Sequence, residues 1–407
     1  MRTSFFSGGS TLGDNVLKLL LPILIGVLFI ACSKKETTIE PIQFSADMQS
    51  RLEATLDKAM MENNIPGAIV GIWIPGEGSW VKAKGIANLT TDQPMKPENH
   101  FRMGSITKTF TGTLVLQLVD EGLIHLDSSL AYYLPQYPFQ YADKIKVRLL
   151  GNMRAGIYSY TDDSTWNKTM LANNFETQFS ADSLVKISLS HTCIEPGVHY
   201  YYCNTNTVLL GLICEKVTGK PIRELFQEKL FIPNGLDHTF WPQTHFLPEP
   251  FSHGYTNRSW TGPGELKDAT FFNPSWADAA GILVTNIYDL KKWIRLVGTG
   301  ALYSSAIQAE RLKFTDYYGF ALQDANGWLG HFGAIPGFTS GALYYPELDA
   351  ILVIHVNSNI DNPITGNTPA EEVGLAFMEL LTPPALGLNH GEPAGTMKQI
   401  SFKRTQP

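Results

Sequence analysis

The chain has 407 residues, of which 44% are hydrophobic, so it can bury a large core in one composite domain or in two. Its formal net charge at pH 7 is -7, and it contains no basic run of the kind that nucleic-acid binding requires. Its histidines form no His-x-x-x-His or Cys/His cluster, so the sequence predicts no metal ion and no cofactor.

The N-terminus predicts export. Leu19 to Ala31 is an apolar run that is too short to span a membrane and is typical of the core of a secretory signal. A bacterial lipobox is resembled by the residues that close this run, Leu28-Phe29-Ile30-Ala31-Cys32-Ser33. The resemblance implies cleavage before Cys32 and a lipid on the sulfur of Cys32. We therefore expect a signal peptide over 1–31, a lipidated cysteine and linker over 32–44, and a bacterial cell-envelope location facing the periplasm or the exterior. An uncleaved anchor and an ordinary signal peptide are the alternatives.

The first folded elements are a helix and a hairpin. A helix capped by Ser45 runs to about Asn63. Its inner face is marked by apolar residues at helical spacing: Met48, Leu52, Leu56 and Ala59. Two strands, Ala68–Ile74 and Trp80–Ile86, follow on either side of a glycine-rich turn.

The stretch from Phe101 to Asp120 predicts one helix with almost no solvent face, because apolar residues recur on every side of it. Ser105 and Lys108 interrupt its first turn, three residues apart and therefore on one face. A hydroxyl beside an amine on a buried helix indicates a serine nucleophile with a lysine proton acceptor. Ser-x-x-Lys also occurs at Ser79 and at Ser183, on a predicted strand and in a polar segment, where the lysine is expected to be solvated.

The middle of the chain, about 128–279, predicts a mostly helical insertion. Its clearest helices are Ala181–Ser188, Thr205–Thr218 and Ile222–Leu230. Cys193 and Cys203 could form a disulfide, or both could be buried thiols together with Cys214.

The last third returns to strands. After a helix over Ile287–Val297, four strands are predicted: Tyr318–Gln323, Gly327–Phe332, Ser340–Tyr345 and Ala350–Val356. A capping box at Thr368 opens a final helix to about Leu381, and a tail follows over 383–407. These elements predict an α+β domain over 45–382, in which an antiparallel sheet built from N- and C-terminal segments is flanked by helices and carries an inserted helical lobe. Ligands commonly bind in the cleft between two such lobes.

Two more motifs follow Ser105 in order. Tyr202-Cys203-Asn204 precedes a predicted helix, and His331-Phe332-Gly333 lies in the strand region. With Phe101-Arg102-Met103-Gly104-Ser105-Ile106-Thr107-Lys108, they resemble the serine beta-lactamase and D-alanyl-D-alanine carboxypeptidase family. The likeness is to its penicillin-binding-protein-like, class C type branch, which has Ser-x-x-Lys, Tyr-x-Asn and His-x-Gly motifs. It covers about Ser45 to Leu381 and implies a beta-lactamase/transpeptidase-like fold.

The residues themselves indicate the chemistry. A serine hydroxyl is a poor nucleophile until a neighbouring base takes its proton. Burial should lower the pKa of Lys108, and a nearby cation should favour the phenolate of Tyr202. The sequence leaves open which of the two is the acylation base.

The resemblance implies further roles. Asn204 would bind the acyl-side amide of the substrate, and His331 would complete the proton network near Tyr202. The backbone N–H groups of Ser105 and Ala334 would form the oxyanion hole.

Phe332 and Gly333 are expected at the substrate, and Phe332 departs from the family pattern. The family commonly has threonine there, whose hydroxyl helps to hold a substrate carboxylate, and phenylalanine cannot donate that hydrogen bond. Arg154 and Thr339 are the candidates to replace it.

We therefore expect an exported serine hydrolase that forms an acyl-enzyme on Ser105 and acts, like a D-alanyl-D-alanine carboxypeptidase, on peptidoglycan-type peptides. A carboxylesterase or D-amino-acid amidase on the same scaffold is the first alternative, and a beta-lactamase is the next. A non-catalytic binding lipoprotein is the alternative from another class. The expected partners are a small peptide or ester substrate and, through the lipid, a membrane; the oligomeric state is left open.

Overall fold

The structure is a computed structural model that describes residues 42–173, 175–257 and 265–382. The predicted signal peptide, Cys32 and the tail over 383–407 lie outside these residues. Within them, no helix is both long and apolar enough to cross a membrane.

A seven-stranded antiparallel sheet forms the centre of the fold. The strands of the chain are β1 (Gly67–Ile74), β2 (Gly78–Asn88), β3 (Gln93–Pro94), β4 (Phe101–Arg102), β5 (Tyr255–Thr256), β6 (Lys267–Asp268), β7 (Val284–Thr285), β8 (Gln323–Ala325), β9 (Trp328–Ile335), β10 (Phe338–Tyr345) and β11 (Ala350–Val356). The order in the large sheet is β3-β2-β1-β11-β10-β9-β8. Because β1 pairs with β11, the N- and C-terminal segments close one sheet, which confirms the predicted fold class.

Helices cover the sheet and build the insertion. They are α1 (Ala46–Glu62), α2 (Thr107–Asp120), α3 (Leu130–Tyr133), α4 (Val147–Gly151), α5 (Ser164–Ala172), α6 (Ala181–Leu189), α7 (Asn204–Thr218), α8 (Ile222–Phe226), α9 (Asp278–Gly281), α10 (Ile287–Thr299), α11 (Ser305–Arg311) and α12 (Pro369–Leu381). A π-helical turn, Gln227–Phe231, continues α8. The expected caps are present, since the Ser45 hydroxyl accepts from the Met48 N–H and Thr368 forms a capping box with Glu371.

Two apolar cores lie on opposite faces of the sheet. One core joins α1 and α12 to the sheet and contains the four predicted inward residues of α1. The larger core joins the other face to α2, α10 and the helices of the insertion. The helix α2 is buried along most of its length because it lies inside this larger core.

The structure corrects two predicted elements. Phe101 and Arg102 are not helical, because β4 pairs with β7, and Ser105 lies in a 3-10 turn, Gly104–Ile106, that leads into α2. Strand pairing has overridden the helical pattern of the apolar residues there. The predicted strand Tyr318–Gln323 is a tight turn, in which the Gly319 N–H donates to the Leu322 carbonyl, and β8 begins only at Gln323.

The three cysteines of the described region are buried free thiols. This is the second of the two alternatives that the sequence left open for Cys193, Cys203 and Cys214.

Candidate active site

Ser105 lies where the 3-10 turn faces strand β9 across a very short gap. Gly104 has φ 55°, and a Cβ atom at this position would come within 2.9 Å of the Ala334 nitrogen. Glycine is therefore required here both by its left-handed backbone conformation and by the close approach of β9. The result places the serine hydroxyl at the edge of the sheet, at the start of α2.

Lys108 is fully buried beneath Ser105. Its Nζ lies 2.9 Å from Ser105 Oγ, 2.7 Å from Asn204 Oδ1 and 2.8 Å from the Ala280 carbonyl oxygen. An ammonium would donate three hydrogen bonds in this arrangement. A neutral amine would donate to Asn204 and Ala280 and accept from the Ser105 hydroxyl, so one geometry suits both protonation states.

The insertion supplies Tyr202 and Asn204. Asn204 is the first residue of α7, and its Nδ2 donates to Thr161 Oγ1 over 3.1 Å. The ring of Tyr202 has its centroid 4.8 Å from Lys108 Nζ. The structure thus brings four of the sequence-predicted residues together, although they come from two distant parts of the chain.

His331 lies in β9 with both ring nitrogens engaged. Its Nδ1 bonds the Phe332 carbonyl oxygen, and its Nε2 lies 3.0 Å from the Tyr318 hydroxyl. Burial and the charge of Lys108 lower the pKa of His331 to about 3. Its ring centroid is 6.1 Å from that of Tyr202. The two ring nitrogens of His331 thus bond Phe332 and Tyr318, and its part in the expected proton network near Tyr202 stays a prediction.

Phe332 borders the cavity, but its ring packs into the core between the sheet and α12. A Cβ atom at Gly374 of α12 would lie 2.8 Å from that ring. Successive residues of a strand point to opposite faces, so the Phe332 ring lies on the face of β9 that packs against α12, and its contribution to substrate binding stays a prediction.

Neither proposed substitute for the missing threonine points into the site. Arg154 pairs with Asp316, and the Thr339 hydroxyl donates to the Ser358 carbonyl oxygen in the core. No local motif marks either contact, since Asp316 lies 162 residues from Arg154 and Ser358 lies 19 residues from Thr339.

The backbones of Ser105 and Ala334 approach one another as the oxyanion-hole expectation requires. A Cβ atom at Gly333 would lie 3.0 Å from the Ser105 nitrogen and 2.0 Å from the Met103 carbonyl oxygen. Both Ser105 and Ala334 line the same cavity. Their two N–H groups are therefore carried by adjacent backbone segments, and their role as an oxyanion hole stays a prediction.

A cavity of about 340 Å³ opens over Ser105. Much of its wall is aromatic: Trp166, Phe175, Tyr200, Tyr201, Tyr202, Trp276 and Tyr317. Its carboxylates are Asp162 and Glu371, and among the described residues no lysine or arginine lines it. The sequence analysis did not assign Asp162, Thr161 or Glu371 to the site. No local motif marks the first two, and Glu371 is marked only by its capping box; folding brings all three to the cavity over Ser105.

No metal-binding cluster is apparent in the part of the chain that the structure describes: no group of three His, Cys, Asp or Glu side chains is placed to hold an ion.

The fold and the site define a class of protein. In it, a serine–lysine pair at the start of a buried helix lies against a strand of an antiparallel sheet, here β9. Residues 52–372 match the family model described as Beta-lactamase. The chain therefore belongs to the beta-lactamase family, whose members are serine hydrolases.

The relatives include penicillin-binding-protein-like proteins and amidases. The chain is 25% identical to Protein flp of Staphylococcus aureus (strain MW2) over 329 residues, covering 77% of this chain and 64% of that protein's length. It is similar to a D-stereospecific amidohydrolase from Streptomyces sp., with 29% identity and a TM-score of 0.72 over 80% of this chain and 97% of that one. It is also similar to the D-amino acid amidase from Ochrobactrum anthropi SV3, with 25% identity and a TM-score of 0.72 over 83% and 98%.

Proposed function

We propose that the protein is a serine amidohydrolase that cleaves small amides through an acyl-enzyme on Ser105. The observation that carries the proposal is the 2.9 Å contact between Lys108 Nζ and Ser105 Oγ at the floor of a cavity of about 340 Å³. A nucleophile within hydrogen-bond reach of a base, with the base held by further groups, is the arrangement that activates a serine.

The steps follow from the geometry. Ser105 Oγ attacks the substrate carbonyl, and its proton passes to the Lys108–Tyr202 pair. The N–H groups of Ser105 and Ala334 hold the oxyanion. When the intermediate collapses, the C–N bond breaks, the leaving amine takes the proton, and an acyl ester remains on Ser105. Water then attacks the ester in the place of the amine and gives its proton to the Lys108–Tyr202 pair. The C–O bond to Ser105 breaks, Ser105 Oγ takes the proton back, and the acid product leaves.

The charge of the cavity favours a substrate with an ammonium group over one with a free carboxylate. Asp162 and Glu371 bring two negative charges to the cavity wall, against the one positive charge of Lys108 beneath Ser105, and His331 is neutral because its pKa is lowered to about 3. Like charge repels a carboxylate, whereas an ammonium is attracted both to carboxylates and to aromatic faces. An amino-acid amide with a free amine meets both conditions, and the similarity to a D-amino acid amidase supports the same substrate class.

The test compares three substrates with the purified protein: D-phenylalanine amide, its N-acetylated form, and a diacyl-lysyl-D-alanyl-D-alanine peptide with a free carboxylate. We expect hydrolysis of the free-amine amide, loss of most activity on acetylation, and slow or no release of D-alanine. Asp162→Asn should raise KM for the free-amine amide about tenfold. Asp127→Asn removes equal charge far from the cavity and serves as the control, since Asp127 pairs with Arg148.

The carboxypeptidase prediction is the second candidate, favoured by the ordered Ser105, Tyr202 and His331 motifs. Preferential release of D-alanine, with a stable penicillin adduct that is absent in Ser105→Ala, would replace the amidase proposal with it. Turnover of p-nitrophenyl esters alone would favour a carboxylesterase, and rapid penicillin turnover a beta-lactamase. No adduct and no turnover with any of these compounds would leave the binding lipoprotein.

We also propose that the protein works in the bacterial cell envelope, anchored through a lipid on Cys32. The apolar run that ends at Ala31 and the following cysteine support this proposal. Cys32→Ala should move the protein from the membrane fraction to the soluble fraction after expression with its own N-terminus. An unchanged distribution would contradict the lipid anchor but would leave the amidase proposal untouched.

A further inference from the structure

The hydrogen bonds of His331 define its tautomer. The Phe332 carbonyl oxygen can only accept, so the Nδ1 atom that contacts it must carry the hydrogen. In the neutral ring Nε2 then has the lone pair, and it accepts from the Tyr318 hydroxyl over 3.0 Å. Both polar atoms of the imidazole are used by the protein, although the ring borders the catalytic cavity.

Tyr318 is built into the fold rather than placed on its surface. Its side chain is fully buried, and its ring meets the rings of Tyr202 and His331 edge to face, with centroids 6.2 Å and 5.7 Å apart. The tight turn that follows it is held by Arg311, whose guanidinium bonds the carbonyl oxygens of Thr109 and Ala321. The packing of the Tyr318 ring therefore holds the Tyr318 hydroxyl beside His331 Nε2.

The charged and titratable groups around His331 come from several elements. Lys108 of α2 and Arg311 of α11 both act against a proton on the imidazole. Tyr202 approaches from the insertion, and Tyr318 approaches from the turn before β8. A positive charge on His331 would therefore be repelled by the positive charge of Lys108.

We propose that Tyr318 is a positioning residue that acts together with the Phe332 carbonyl oxygen to fix His331 as the neutral Nδ1–H tautomer. The imidazole then presents no N–H to the cavity, and proton exchange with Ser105 is confined to Lys108 and Tyr202. Donation from the Tyr318 hydroxyl requires an unprotonated Nε2, so it favours the neutral ring. Only the kinetic consequence of this inference rests on the proposed amidase function; the tautomer itself can be measured without a substrate.

The first experiment is long-range ¹⁵N–¹H correlation NMR on the purified protein labelled in histidine, with His331→Gln to assign the signal. We expect one neutral Nδ1–H tautomer of His331 that persists from pH 8 to pH 5. In Tyr318→Phe, loss of one hydrogen bond should change the tautomer ratio about tenfold and raise the pKa of His331. Tyr345→Phe, which removes a hydroxyl that bonds Glu347, is the matched control and should leave the His331 signal unchanged.

An Nε2–H tautomer in the unaltered protein would overturn the proposal, and so would an unchanged tautomer in folded Tyr318→Phe. The spectrum of the unaltered protein can overturn the proposal in this way even if Tyr318→Phe fails to fold.

The second experiment is the pH–rate profile with an active substrate. The unaltered protein should show no limb from His331 between pH 4 and pH 8. Because loss of one hydrogen bond changes the proton affinity of His331 about tenfold, Tyr318→Phe should gain an acidic limb near pH 4. It should also lose about tenfold in kcat, with little change in KM. Equal loss at every pH would indicate a merely structural role and would overturn the proposal. Failure of the amidase proposal would appear differently, as no turnover in the unaltered protein with the NMR result intact.

Discussion

Gly333 offers the sharpest test of how the nucleophile is held. A Cβ atom there would lie 2.0 Å from the Met103 carbonyl oxygen, whereas ordinary van der Waals contact begins at 3.4 Å. In Gly333→Ala, β9 and the turn that carries Ser105 must therefore separate by about 1.4 Å. A misplacement of about 1 Å in a catalytic group can cost about 100-fold in rate. We expect kcat/KM to fall by about that factor and the free energy of unfolding by about 1 to 3 kcal/mol.

The assay is amide hydrolysis together with urea unfolding. Gly298→Ala is the control, because the atoms nearest to its Cβ atom would belong to the side chain of Tyr344, 2.1 Å away, and neither residue lines the cavity. It should lower stability by a similar amount and leave kcat/KM unchanged. The reasoning is refuted if Gly333→Ala is less stable yet fully active, or if both variants lose activity in parallel.

Three further predictions follow from single side chains. Burial raises the pKa of Asp278 to about 6, so the folded protein binds this proton more tightly than the unfolded chain, and stability falls as pH rises from about 4 to 6. Asp278→Asn should therefore be about 3 kcal/mol more stable than the unaltered protein at pH 8 in urea unfolding, and the gain should vanish below pH 4. Phe332→Thr should cost about 3 kcal/mol, because it empties a core site, and should not improve hydrolysis of substrates with a free carboxylate; improved hydrolysis would contradict the observed ring position. Lys108→Met should slow acyl transfer by about 10²- to 10⁴-fold in a burst assay, and a normal acylation rate would exclude Lys108 as an acid–base group.

Much of the fold could be predicted because local signals and hydrophobic periodicity are properties of short segments. Ser45 and the Thr368 capping box set helix starts that the structure confirms. The predictions failed at Phe101 and at Tyr318, where distant partners decide the backbone: β7 pairs with Phe101–Arg102, and a turn replaces a strand after Tyr318. Apolar runs of a few residues suit a buried helix and a buried strand equally well.

The sequence by itself determined the order of three motifs and the identity of their side chains, and hence the family and the chemistry of Ser105 and Lys108. Only the tertiary structure decided which way each side chain points and what surrounds it. It directs the Phe332 ring into the core and engages both nitrogens of His331. The physical reason is that orientation and charge at a site depend on residues such as Asp162 and Tyr318, which are brought there by packing rather than by their position along the chain.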